Sequence, residues 1–135
     1  VLEAALPDGQ AAARLAHTVQ ALDGRIARLD AVLARPDFDA QATAARVEAL
    51  LAQGHAAAAQ AAQRRLTALR RLADTRARSV AARATLDELL AHLRAQVELA
   101  RFTGAADGAD ATLAELTDLV GTLDALLDDE VLAAA

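Results

Sequence analysis

From His55 to Thr103 the chain runs 49 residues without a glycine or a proline. These are the two residues that most readily end a helix. Proline removes a donor and clashes with the preceding turn, and glycine loses the most backbone freedom on ordering. The stretch is filled instead with Ala, Leu, Arg, Glu and Gln, all strong helix formers. It therefore predicts one helix of about 73 Å, far longer than the ~10–14 residues usual in globular proteins. Thr85-Leu86-Asp87-Glu88 has the form of a capping box, so a break between Ser79 and Thr85 is the competing expectation. We read the helix as continuous.

The rest of the chain is punctuated more often. After the turn residues Pro7-Asp8-Gly9, Leu15, Val19, Leu22, Ile26, Leu29 and Leu33 recur at 4-3-4-3-4. That spacing is a heptad seam on a helix from about residue 8 to 34. Arg35-Pro36-Asp37-Phe38-Asp39 stops it, because a residue before proline avoids the α region, and Asp37 or Asp39 can cap the next helix. The second helix carries Val47, Leu50 and Leu51 and ends at Gly54. Residues 104–110 form a loop in which Gly104 closes the long helix and Asp110 or Thr112 opens the next. Thr112-Leu113-Ala114-Glu115 is a second capping-box match. The last helix presents Leu113, Leu116, Val120, Leu123 and Leu127, flanked by Leu119 and Leu126, a face wide enough for a bundle. Ala133 to Ala135 are expected to fray.

Composition decides what kind of core these helices can make. The chain is 55% hydrophobic, yet 40 of those residues are alanine and only 34 are Val, Leu, Ile or Phe. Alanine buries little area, so the core must be thin and the helices close. Strand formers are scarce. The expected fold is all-α: an antiparallel helical bundle of about four helices with one long coiled-coil-like helix, a single helical domain over residues 1–135. Partners of roughly 16 to 27 residues cannot cover a helix of 49, so it projects or a second chain covers it. A start at Val1 suggests a domain excised from a longer protein, with flanking segments, a membrane anchor among them, beyond it.

The charges are unevenly placed. All 14 basic residues are arginine, and the net charge is −5. The arginine and alanine load suggests a GC-rich bacterial genome. Arg64, Arg65, Arg70, Arg71, Arg76, Arg78 and Arg83 gather half of the bases into twenty positions, against one acid, Asp74. At 100° per residue, Leu66, Leu69, Ala73, Ala77 and Val80 share one side, and most of the arginines fan across the other. Such a face suits nucleic acid, an anionic membrane or an acidic partner, or it is paired within the molecule. From Asp107 onward there are eight acids and no base. If the last helix folds back at 104–109, residues 128–130 come near 83–85 and the acidic tip reaches Arg83 and Arg78. We expect that pairing. At ~0–1 kcal/mol for each exposed pair, it would set register more than stability. The acidic total and the lack of stacking aromatics count against nucleic acid.

Little else carries chemistry. His17, His55 and His92 lie in three segments, and only Glu88 and His92 share an i, i+4 face. The Glu-x-x-His pattern of carboxylate-bridged di-metal bundles is absent, so no metal is expected. Ser79 is the sole serine, Cys, Tyr and Lys are missing, and no glycine-rich phosphate loop occurs. A thin alanine core leaves little room for a dry pocket, so we expect no enzyme, no cofactor and no small-molecule substrate.

Association is the remaining theme. Val19 and Ile26 fall at one heptad position and Leu22 and Leu29 at the other, the combination that favours parallel two-stranded coils. In that register Arg25 would face Asp30 of a twin chain. The candidate partner-binding residues are therefore Leu15, Val19, Leu22, Ile26 and Leu29, with the seven clustered arginines. We expect a non-enzymatic helical protein–protein interaction, scaffold or regulatory module that binds a protein partner or its own copy. A ligand-sensing helical-bundle domain of a bacterial membrane receptor is the alternative, since an even helix count returns both termini to one end. A coat lying on lipid or polymer granules is a third reading, and it needs bulky exposed apolar faces. The absence of cysteine leaves the compartment open. No apolar run approaches the ~20 residues of a bilayer span. No signal-peptide pattern occurs, and the cytoplasm is the favoured expectation.

Overall fold

Four helices carry the described chain: α1 Gly9–Leu33, α2 Ala40–Ala52, α3 Ala56–Thr103 and α4 Ala109–Ala134, with a 3₁₀ turn at Pro36–Phe38. The computed structural model describes residues 9–104 and 108–134, with side chains to 127. Pro7, Asp8, residues 105–107, the side chains of 128–134 and Ala135 lie outside the described residues. Among the described residues there is no strand, and the chain is all-α. The long stretch forms one unbroken helix of 48 residues.

The hydroxyls explain why no break interrupts it. Ser79 Oγ donates to the Thr75 carbonyl at 2.8 Å, and Thr85 Oγ1 to the Ala81 carbonyl at 3.0 Å. Both are satisfied by the turn behind them and cap nothing. Thr112 behaves likewise, donating to the Gly108 carbonyl at 3.1 Å. Since α4 begins at Ala109, Thr112 lies in its first turn rather than before it. Asp110 occupies the same turn, where a carboxylate favours the helix dipole.

The turns follow their residues. Arg35 is extended (φ −65°, ψ 136°), as its position before proline requires, and its guanidinium lies 5.4 Å from the Phe38 ring centroid. Asp39, rather than Asp37, caps α2: its carboxylate accepts the Ala42 amide at 3.1 Å. At the far end the His55 amide reaches the Leu50 carbonyl at 2.9 Å and the Gly54 amide the Leu51 carbonyl at 3.1 Å. This is a Schellman closure with Gly54 at φ +78°, so three residues suffice to reverse the chain into α3.

Contacts group the chain into two compact units. Unit 1 comprises Val1–Gly24 and Ala81–Ala135, and unit 2 comprises Arg25–Val80. Both boundaries fall inside helices, α1 and α3.

Unit 1 has a leucine core. Leu15 and Leu22 from α1, Leu86 and Leu93 from α3, and Leu116, Val120 and Leu123 from α4 are all buried. Thr18, fully buried among them, donates its hydroxyl to Asp124 at 2.5 Å. The other carboxylate oxygen of Asp124 lies 3.6 Å from Arg14 Nη2. One part-buried polar contact therefore ties α1 to α4, where apolar contacts alone would tolerate sliding. Gly108 has φ +87°, and a Cβ there would stand 2.7 Å from Gln96 Nε2. The backbone conformation favours glycine at this turn, whereas the flexible tip of Gln96 can shift aside.

Unit 2 has a thinner core. Val47 and Leu50 of α2 pack on Ala59 and Ala62 of α3, and Leu29, Leu66 and Leu69 are buried in the same unit. Two alanines on α3 let α2 approach closely. Leu51, expected to join Val47 and Leu50, is instead 55% exposed, because it falls outside the stripe that those two define. The wheel projection also fails on part of α3: Ala73, Ala77 and Val80 are exposed, while Leu72, Arg76 and Ser79 are covered or half-covered. From Ala59 the covered or half-covered positions are 62, 66, 69, 72, 75, 76 and 79, so that both 66 to 69 and 69 to 72 are steps of three. Two consecutive steps of three swing the covered stripe around the helix, which a constant-phase projection cannot follow.

Candidate interaction surface

Over residues 56–80, α3 turns Ala59, Ala62, Leu66 and Leu69 inward. Arg64, Ala68 and Arg71 then fall opposite, with Arg65 and Arg70 on the two flanks. All four arginines are exposed. Among the described residues none of them is in an ion pair. Arg64, Thr67, Ala68, Arg71, Leu72 and Thr75 line an open depression along this single helix. Arg64 and Arg71 are two turns apart, about 10 Å along the axis, with the short Ala68 between them.

The other three arginines of the cluster are occupied. Arg76 pairs with Asp30 of α1 inside unit 2, and Arg78 Nη2 lies 2.8 Å from Asp74 one turn earlier on α3. Arg83, in unit 1, bonds to Asp23 of α1 at 2.9 Å and to Asp87. Partial burial pulls the Arg83 pKa down, but the hydrogen bonds and charges of Asp23 and Asp87 outweigh it, and the pKa rises above its ordinary value. The described partners of Arg78 and Arg83 thus come from α1 and from α3 itself. The acidic side chains of 128–130, to which we assigned that role, lie outside the described residues.

The α1 seam is drawn into the chain's own packing. Leu15, Leu22 and Leu29 are buried, and Val19 and Ile26 are half-buried. Asp30, placed across from a twin's Arg25 in the dimer register, is bonded to Arg76 instead.

One feature escaped the sequence reading. Unit 2 holds ten arginines against five acids, a net +5, and unit 1 holds four arginines against fourteen acids, a net −10. The two values sum to the −5 of the whole chain. Each signal was visible as a local cluster, but the division follows contact boundaries that no linker marks. Within unit 1, Asp110, Glu115 and Asp118 of α4 are exposed, whereas Asp124 is engaged by Thr18 and Arg14.

Three other features complete the surface. Phe102 and Leu99, near the end of α3, are 87% and 59% exposed. A shallow crevice in unit 1, with a cavity volume of about 30 Å³, is lined by Leu15, Leu113, Leu116 and Val120 together with Arg14. His17, His55 and His92 are exposed. Among the described residues no three His, Asp or Glu side chains converge in a way that could hold a metal ion. No described helix is long and apolar enough to cross a membrane. No protein-family model, curated protein or solved structure matches this chain.

Proposed function

We propose that this chain is a helical interaction module of scaffold or regulatory type, which binds an acidic protein partner through the arginine face of α3 in unit 2. The observation that carries the reading is the set of four exposed guanidiniums, Arg64, Arg65, Arg70 and Arg71, within a unit of net charge +5. Guanidinium offers five donors in a rigid fork that matches a carboxylate bidentately, and it holds its charge at any physiological pH. Each contact at a wet rim is worth ~1 kcal/mol or less. Together they steer encounter and fix orientation more than they tighten the complex, which suits reversible assembly.

Titration with poly-L-glutamate, duplex DNA and anionic vesicles tests this reading. The wild type is compared with a variant carrying Arg64→Gln, Arg65→Gln, Arg70→Gln and Arg71→Gln. Salt-sensitive binding of the acidic polypeptide that disappears in a still-helical variant is the expected result. Equal binding by both proteins, or a clear preference for DNA or vesicles, would overturn it.

The crevice in unit 1 favours a second reading, a ligand-sensing bundle. The space is small, about 30 Å³, and its lining, apolar apart from Arg14, would suit the end of a short amphiphilic anion. A thermal-shift screen of short-chain carboxylates that moves the midpoint of the wild type but not of Arg14→Gln would support it.

A further inference from the structure

We infer that the acidic partner is a second copy of this chain, with the arginine face of unit 2 docking on the acidic face of α4 in unit 1 of its neighbour. This inference rests on the interaction-module reading and names the partner for the same face. Three observations converge on it.

The first is charge. A unit of +5 and a unit of −10 are present at equal concentration in every solution of this protein. No acidic protein of other origin is needed to supply the complement.

The second is the match of the two helix faces. On α4 the buried side is Thr112, Leu116, Val120 and Leu123. Asp118 falls opposite them beside Ala111, Ala114 and Ala125, with Asp110 and Glu115 on the flanks. All of these are exposed. The arginine face has the same make-up with the sign reversed: single-sign charges at the centre and flanks, and alanine between them. Alanine at the contact lets helix axes approach toward the close end of the usual ~8–10 Å range, within reach of the long arginine side chains. Asp110 and Asp118 are eight residues apart and Arg64 and Arg71 seven, about 12 Å and about 10 Å along their helices.

The third is that the charges on both faces are uncommitted. Among the described residues, none of Arg64, Arg65, Arg70, Arg71, Asp110, Glu115 and Asp118 is in an ion pair within its own unit. Of the arginines that do pair, Arg76 and Arg83 lie off this strip, and Arg78, one heptad beyond Arg71, is held by Asp74. Docking would pair these charges without breaking any contact that holds either unit together.

Charge exchange tests the inference directly. Sedimentation velocity is run on the wild type, on Arg64→Glu/Arg71→Glu, on Glu115→Arg/Asp118→Arg, and on an equimolar mixture of the two variants. All substituted positions are exposed, and circular dichroism checks that each variant is folded. We expect the wild type to associate at ~50 mM salt and to dissociate near ~0.5 M, where the Debye length falls to a few ångströms. Each variant alone should associate at least tenfold more weakly. The mixture should recover association, because the acidified face of one variant meets the basified α4 of the other. A wild type that stays monomeric at both salts, or variants that associate as it does, would overturn the inference. A monomeric wild type that still binds poly-L-glutamate through the arginine face sinks the second-copy partner alone. Poly-L-glutamate binding that survives the four Arg→Gln changes sinks the interaction-module reading itself.

Discussion

Unit 1 and unit 2 draw on the same long helix and use it in different ways. In unit 1, α3 supplies leucines at 86 and 93 to a core shared with α1 and α4, and the part-buried Thr18–Asp124 contact ties α1 to α4. In unit 2, α3 supplies Ala59 and Ala62 to its contact with α2 and turns four arginines outward. Unit 1 packs large side chains from three helices around a part-buried polar bond, whereas unit 2 adds to its leucines a close contact of Val47 and Leu50 on small alanines. The difference shows how an alanine-rich chain can be specific. Where the core is thin, the outer face of the helix is left for charge, and in unit 2 arginines outnumber acids ten to five.

Exchanging core sizes is the strongest way to break this comparison. Leu22→Ala, at a position 1% exposed in unit 1, should lower unfolding free energy by ~2–5 kcal/mol through lost burial and an unfilled cavity. Urea denaturation followed by circular dichroism measures it, and a loss below ~1 kcal/mol would mean that the leucine core is not what holds unit 1. The opposite change belongs in unit 2. Ala59→Leu, at a position 2% exposed against Val47 and Leu50, should cost ~1–3 kcal/mol by forcing α2 away from α3. Stabilisation there would show that the unit is loosely packed rather than closely packed. Thr18→Val keeps the shape and removes the hydroxyl that bonds Asp124. It should cost ~1 kcal/mol, because Asp124 keeps Arg14 and some water as partners. A double-mutant cycle with Asp124→Ala reads the coupling, and additive losses would deny the contact a role in register.

The α-helical class and the length of α3 were legible, because neither glycine nor proline occurs between His55 and Thr103. Gly54 and Gly104 were legible as stops, and both take positive φ. The heptad seam of α1 marked Leu15, Leu22 and Leu29, which are buried. Other features were not readable, for physical reasons. A hydroxyl at Thr85 or Thr112 can cap a helix or bond back one turn, and only the backbone at that point decides between them. The swing of the α3 stripe after Leu69 depends on two successive three-residue steps, invisible to a wheel of constant phase. The division of the arginines into paired and unpaired depends on Asp23 and Asp30, dozens of positions away in sequence. No composition shift marks Gly24 or Val80, so the charge division between units had no outward sign.

The central claim is that Arg64, Arg65, Arg70 and Arg71 form a surface for a partner and contribute nothing to holding unit 2 together. The most direct measurement is the urea-unfolding midpoint of the variant with all four changed to glutamine, taken beside the wild type at low protein concentration. The account predicts an unchanged midpoint, within the ~0.5 kcal/mol per site typical of free surface positions, or a slight rise as like-charge repulsion is relieved. A fall corresponding to several kcal/mol would show that these arginines belong to the fold, and would contradict the account.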